Sequence, residues 1–438
     1  MNIQAFYRNV DSDVLGAMKK PKWFFWASLF LAASAFVFGL GCWGYMIFKG
    51  LGVAGITHPV GWGVFITNFV FWVGIAHSGT LISAVLFLFR ARFRSAFNRT
   101  AEAMTIFAVM TAGLFPLIHL GRVWRAFFLF PYPNQRLLWV NFRSPLIWDV
   151  FAVSTYLTIS LIFFYVGLIP DLAAARSHFK GIRQWVYKIL SLGWEGTREQ
   201  WQHYSRLYMF LAAFATPLVV SVHSVVSWDF AMSVVPGWHS TIFAPYFVAG
   251  AIFSGTAMVI TLTIPMRKIL NLENFITIDH YEKIAKVLLV TSLIVSFSYI
   301  IEILLALYGG NVFEIGVFKY RMTGHYKIAF WLMVFCNVVL PLALFVRKLR
   351  RNLVFLFILS LFVNVGMWLE RFNIIITSLA NEYNPYSWGT YSPSIIEIGI
   401  TIGSFGMFFT FFLLFTKVLP VLSISEIKEQ GVTNDQHR

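Results

Sequence analysis

Ten runs of apolar residues, at about 23–48, 62–89, 104–121, 146–169, 207–228, 242–265, 285–308, 326–346, 353–378 and 396–419, occupy most of this 438-residue chain. Each is near or above the roughly 20 residues that an α-helix needs to cross a bilayer. Lipid offers backbone amides no hydrogen-bonding partner, so a spanning segment must be a helix or part of a closed barrel. Runs this long and this continuously apolar predict helices, hence an all-α polytopic membrane protein. Composition agrees: 58% of residues are hydrophobic and 12% are charged, where soluble domains carry about a quarter charged. The first run is long and aromatic and lacks a small-residue cleavage site, so it reads as a retained span and not a signal peptide.

A net charge of +15 could suggest nucleic acid as a partner, but its placement argues against that. Lys and Arg gather in alternate connections: Arg8 to Lys22, Arg90 to Arg99, Arg176 to Arg206, Arg267 with Lys268, and Arg347 to Arg351. About 25 of the 34 basic residues fall on one side and about 8 on the other, so the positive-inside rule puts both termini in the cytoplasm. The bland reading of the basic loops is that they set topology and touch lipid headgroups. Cys42 and Cys336 are isolated within apolar runs, and two cysteines cannot hold an iron–sulfur cluster, which needs about four thiolates.

The chain carries an internal repeat. Gly74-Ile-Ala-His77-Ser-Gly-Thr80 in the second run matches Gly250-Ala-Ile-Phe253-Ser-Gly-Thr256 in the sixth. Four spans separate the copies, so both cross in the same direction. The repeat predicts two parallel four-helix bundles, spans 2–5 and 6–9, flanked by spans 1 and 10. The corresponding divisions are 1–61, 62–230, 231–380 and 381–438. Small residues let membrane helices approach closely, and that packing role is the simplest reading of Ser-Gly-Thr. The halves differ chemically: His77 corresponds to Phe253, and Asp149 to His325.

Ionisable groups inside a bilayer are costly and usually functional. Counting from a cytoplasmic N-terminus, span 3 ends outside near His119, span 4 begins there near Asp149, and span 5 returns there at Asp229. His223 is six residues before Asp229, roughly 9 Å deeper at 1.5 Å per residue. The trio predicts a site at the outer mouth of the first bundle. Oxidation of a hydroquinone releases two protons with two electrons. An imidazole and a buried carboxyl are suited to receive those protons. His77, Glu302 and Glu370 are candidates for proton transfer; adjacent Glu370 and Arg371 should face different directions on a helix and not pair. The connection 121–145, basic and rich in aromatics, reads either as a docking surface for an outer partner or as an interfacial aromatic belt.

The ten-span layout, the repeated Ser-Gly-Thr element and the placement of His119, Asp149 and Asp229 resemble the NrfD/polysulfide reductase membrane-subunit family, over residues 20–420. Within it they are most similar to the quinol-oxidising ActC subunits of bacterial alternative complex III. That resemblance implies a subunit of the bacterial inner membrane, binding menaquinol near the periplasmic face and holding no cofactor of its own. Electrons would pass to an iron–sulfur subunit and then to c-type haems of cytochrome subunits, beside a paralogous membrane subunit. His119, Asp149 and Asp229 fall on the quinol-site positions, and the sister subunit ActF is not expected to keep them. Such a chain would be a quinol oxidoreductase subunit, inactive alone, with quinol and lipid but no nucleic acid as ligands. Two other classes stay open. His77, His119 and His223 could belong to a di-haem cytochrome b-like subunit, although depth counting separates His77 from the other two. A secondary transporter is the second alternative, with Pro116, Pro217 and Pro341 interrupting spans.

Overall fold

The structure is a computed structural model that describes residues 3–19, 21–130, 142 and 144–429. Among the described residues, ten helices are long and apolar enough to cross a membrane: Trp23–Lys49, Gly63–Leu88, Asn98–His119, Pro145–Arg176, Arg198–Ala231, Phe243–Ile269, Ile278–Gly309, Lys327–Phe345, Leu353–Ala380 and Ile395–Val418, here spans 1 to 10. Among the described residues there is no strand. The protein is a polytopic all-α membrane protein.

Spans 3, 5 and 7 begin six to nine residues before their apolar runs do, because their polar first turns are themselves helical. Span 5 opens on a capping box in which the Gln200 amide N–H donates to Thr197 Oγ1 at 3.3 Å, satisfying one of the free N–H groups of a helix start. Span 10 opens likewise on Ser394 and Glu397. Arg99, read above as part of a basic loop, instead lies inside span 3 and is 2% exposed.

Span 2 packs against spans 3, 5, 6 and 9; span 6 against 5, 7 and 9; span 4 against 5; span 8 against 9; and span 1 against span 10. The tightest approaches use glycine. A Cβ added to Gly39 would lie 2.4 Å from Gly403 Cα, joining spans 1 and 10. One on Gly79 would lie 2.0 Å from Thr105 Oγ1, and one on Gly255 would lie 2.1 Å from Ser78 Oγ. The two copies of Ser-Gly-Thr therefore meet at the contact between spans 2 and 6, in the packing role small residues serve in membranes. Polar ties reinforce the centre: Asn68 Nδ2 donates to Thr401 Oγ1 at 2.8 Å, and Trp368 Nε1 donates to Asn68 Oδ1 at 2.7 Å, linking spans 2, 9 and 10.

Both ends of the chain lie on one side of the bundle. Lys428 Nζ is 2.7 Å from Asp11, and Lys417 Nζ donates to the Ala17 carbonyl at 2.7 Å. Three single-turn π segments interrupt the spans, at Leu81–Val85, Phe335–Val339 and Asn373–Thr377. Such bulges cost regular hydrogen bonding and often mark functional positions.

Candidate functional site

Span 4 starts with Pro145 at its first helical position, where the missing N–H costs nothing. Asp149 follows one turn in, and Asp229 lies in the last turn of span 5. Trp148 and Trp228, each one residue before an aspartate, pack edge to face at 5.9 Å and pin the two helix ends together. The carboxyl groups of Asp149 and Asp229 lie within hydrogen-bonding reach of each other. One Oδ of each is buried without a partner among the described residues. A hydrogen bond between two carboxyl groups requires that one of them hold a proton. Among the described residues no arginine or lysine acts on this pair.

His119 is the last residue of span 3. Its ring lies edge-on to Phe65 of span 2 at 6.4 Å, and its buried Nδ1 has no partner among the described residues. Among the described residues no hydrogen bond joins it to either aspartate. Residues 131–141 and 143, the centre of the basic aromatic connection, lie outside the described residues; the part before them exposes Trp124 and Phe130.

Depth counting separates His77 from His223, but the structure corrects this. Their rings are neighbours, with centroids 4.5 Å apart. His77 is also stacked on Tyr156 at 4.9 Å, and its Nδ1 is 2.6 Å from the Val73 carbonyl. Tyr156 is bonded to Thr80 Oγ1 at 2.7 Å and to the Ala76 carbonyl at 3.0 Å. His77 Nε2 and both ring nitrogens of His223 are buried without partners. Two imidazoles in direct contact leave no plane between them for a haem, so this pair does not fit bis-histidine ligation. Among the described residues no group of three or more His, Cys, Asp or Glu could hold a metal ion.

The second half is built differently. Glu370 and Arg371, expected to diverge, form an ion pair with Oε1 and Nη1 2.9 Å apart. Both side chains are long enough to bend toward one another, and in an apolar setting each is the other's nearest compensation. Arg371 also lies 4.1 Å over the Phe247 ring, and Tyr299 donates to the other Glu370 oxygen. Glu302 faces Arg321, which donates to Thr377 Oγ1 and Ser378 Oγ at 2.9 Å each. His325, the counterpart of Asp149, is exposed beside Tyr326.

Sequence reading passed over one buried cluster. Arg99 reaches Glu102 at 2.9 Å, Asp171 at 2.8 Å and the Gly167 carbonyl at 2.6 Å, while Tyr208 donates to Glu102 at 3.2 Å. The signal was available: Asp171 and Glu102 lie at the ends of apolar runs, as the site aspartates do. Tyr156 left no such signal, since a tyrosine in an aromatic-rich run is unremarked.

The polysulphide reductase NrfD family model matches residues 52–381. Among curated proteins, the chain is 27% identical over 395 residues to a putative dimethyl sulfoxide reductase membrane subunit of Halobacterium salinarum, covering 84% of this chain and 85% of that protein. It is 23% identical over 411 residues to a selenate reductase subunit of Mesobacillus selenatarsenatis, covering 86% and 89% respectively.

Proposed function

The chain belongs to the polysulphide reductase NrfD family and is a membrane subunit of a reductase-type complex; from that premise we propose that it is the quinol-binding subunit of a quinol oxidoreductase of the alternative complex III kind. It oxidises menaquinol near the outer face and passes electrons to an iron–sulfur partner. The observation that carries this reading is the Asp149–Asp229 pair, a buried and a half-buried carboxyl group facing each other with no cation acting on them among the described residues.

The chemistry follows from what such a pair can do. A hydroquinone becomes a quinone by losing two electrons and two protons. The electrons leave for the partner's cluster. One phenolic proton goes to the ionised member of the carboxyl pair and the other to His119, whose buried Nδ1 is unpartnered. His223, six residues before Asp229 on span 5, belongs to the Tyr156–His77–His223 row, which places polar rings deeper in the bundle than the aspartate pair. The segment around Trp124 and Phe130 presents an aromatic surface for the electron-accepting partner on the same face. The topology, with both termini cytoplasmic, is supported by the lopsided basic loops, and a bacterial inner membrane by the resemblance to the alternative complex III subunits. The parallel-repeat arrangement is supported by the meeting of the two Ser-Gly-Thr copies.

A second reading changes only the acceptor. The relatives' names, dimethyl sulfoxide and selenate reductase subunits, favour a terminal reductase in place of c-type haems as the electrons' destination. The deciding experiment purifies the complex with all its native subunits, supplies a hydroquinone, and follows electron arrival spectroscopically. Asp149→Asn is expected to assemble and lose turnover. Full turnover in the assembled variant overturns the assignment.

A further inference from the structure

A cavity of about 220 Å³ lies among spans 6, 7, 8 and 9 and the helix Val312–Thr323. It takes in neither His119 nor the aspartate pair. Its mouth opens between spans 7 and 8, where Ile300 and Trp331 are 56% and 55% exposed on the face a bilayer would cover. Val334 and Val338 line the same opening, and Phe318 and Phe330 supply aromatic wall. The back is polar: Glu302, Tyr299, Glu370 and Asn373.

The back wall holds hydrogen-bond acceptors that no donor of the described residues meets. Asn373 is 2% exposed, and its Oδ1 has no partner; its amide nitrogen is already spent on the Leu369 carbonyl at 2.9 Å. Among the described residues nothing hydrogen-bonds the Glu302 carboxyl, which answers to Arg321 only through its charge. Arg321, also in the lining, donates from Nε to Thr377 and from Nη2 to Ser378, and the Tyr299 hydroxyl is engaged with Glu370 and Asn337. Buried acceptors without donors are rare, and each calls for an explanation. Two of the three π segments border this cavity, contributing Val338 from one and Asn373 and Ile374 from the other. The volume falls below the roughly 300–1,000 Å³ of pockets for drug-sized ligands, and suits a headgroup of one or two rings.

We propose that this cavity is a second ligand site, reached from the lipid, which holds the hydroxylated ring of a hydroquinone-type amphiphile. Ring hydroxyls donate to Glu302 and Asn373, the aromatic walls cover the ring faces, and the tail leaves between spans 7 and 8. The site rests on its own residues and does not depend on the aspartate pair.

The test uses the full chain in lipid nanodiscs, titrated with the fluorescent hydroxylated-ring analogue 2-heptyl-4-hydroxyquinoline N-oxide. Wild type is expected to bind two equivalents. Val338→Trp, which plugs the mouth, removes one, and Val338→Ala keeps both. Glu302→Gln weakens that same equivalent by about tenfold, the loss of one good hydrogen bond to the ligand. An azido derivative of the probe, activated by light, labels span 8 in wild type, a readout that does not depend on any variant folding. Two equivalents in Val338→Trp, or no label on span 8, overturns the proposal. One wild-type equivalent, abolished by Asp149→Asn with Asp229→Asn, overturns it while leaving the first site intact. One equivalent abolished by Val338→Trp alone supports it and overturns the first-site reading.

Discussion

Two regions, the outer ends of spans 4 and 5 and the Glu302–Glu370 region of spans 7 and 9, both enclose carboxyl groups, yet they treat them in opposite ways. In the second half, Glu370 has Arg371 at 2.9 Å and a tyrosine donor, and Glu302 has Arg321 nearby. Where span 4 begins and span 5 ends, Asp149 and Asp229 have each other and, among the described residues, no cation. A third pattern, at the start of span 10, shows what full satisfaction looks like. Glu397 accepts from Gly55 N at 2.7 Å, Ser394 N at 2.8 Å and Tyr391 Oη at 2.8 Å. Burial, and then the carboxylate itself, push the Tyr391 phenol up, which keeps it a donor. A carboxylate so supplied is a structural joint. A compensated pair holds charge in place. A like-charged pair facing itself is costly and is kept where a proton must come and go.

The largest effect that could break this comparison is on turnover. Asp149→Asn keeps size and most hydrogen bonding but cannot take up a proton. It is expected to lower quinol oxidation by roughly 10²–10⁴-fold, the usual contribution of a positioned acid or base. Glu370→Gln, in the compensated half, should change it less than about tenfold. Assembled complexes of each variant, assayed with the same hydroquinone, give the ratio directly. Equal losses in both halves would remove the distinction.

Next in size is stability, where the order reverses. Arg371→Met leaves Glu370 buried without its cation, and breaking such a pair costs about 3–5 kcal/mol. Arg99→Met should cost about the same, since Glu102 and Asp171 both lose their partner. Thermal unfolding in detergent reads both changes. A melting curve unchanged by either substitution would mean that the arginines compensate nothing.

The distinction was only partly legible in the sequence. Ten spans follow from apolar runs because lipid permits no other solution for that much continuous apolar chain. Asp149 and Asp229 could be matched because both lie within a turn or two of a span end, where counting from the membrane surface is short and errors are small. His77 and His223 could not. Span 5 has 34 residues, roughly 50 Å of helix, well beyond the roughly 30 Å of hydrocarbon, so depth counted along it depends on tilt and on where the membrane begins. The Glu370–Arg371 pair was hidden for a different reason: adjacent helical positions diverge at Cβ, and only flexible side chains in a confined apolar setting bring them back. Arg99 was hidden by its neighbours, because in sequence it ends a cluster of loop arginines.

A smaller effect tests the joint between the halves. Gly255→Ala places a methyl 2.1 Å from Ser78 Oγ and 2.7 Å from the Ile75 carbonyl. Backbone on span 2 cannot move aside, so overpacking should cost about 1–3 kcal/mol. Gly113→Ala, where an added Cβ meets nothing within 4 Å, is the control. If the two variants melt alike, the Ser-Gly-Thr copies do not hold the halves together.

The smallest expected change is also the most discriminating. Asp229→Asn removes one of two facing carboxyl groups and installs an amide that can donate to Asp149 in every protonation state. Among the described residues nothing cationic loses a partner, since none acts on the pair. If the carboxyls are held against each other for the reaction and not for the fold, stability should change by less than about 1 kcal/mol, with a gain more natural than a loss. Sites kept for function commonly trade stability in this way. Turnover of the same purified variant should fall steeply. A destabilisation comparable to that of Arg371→Met would show Asp229 to be a structural joint like Glu397, and the two halves would then differ in their partners but not in their purpose.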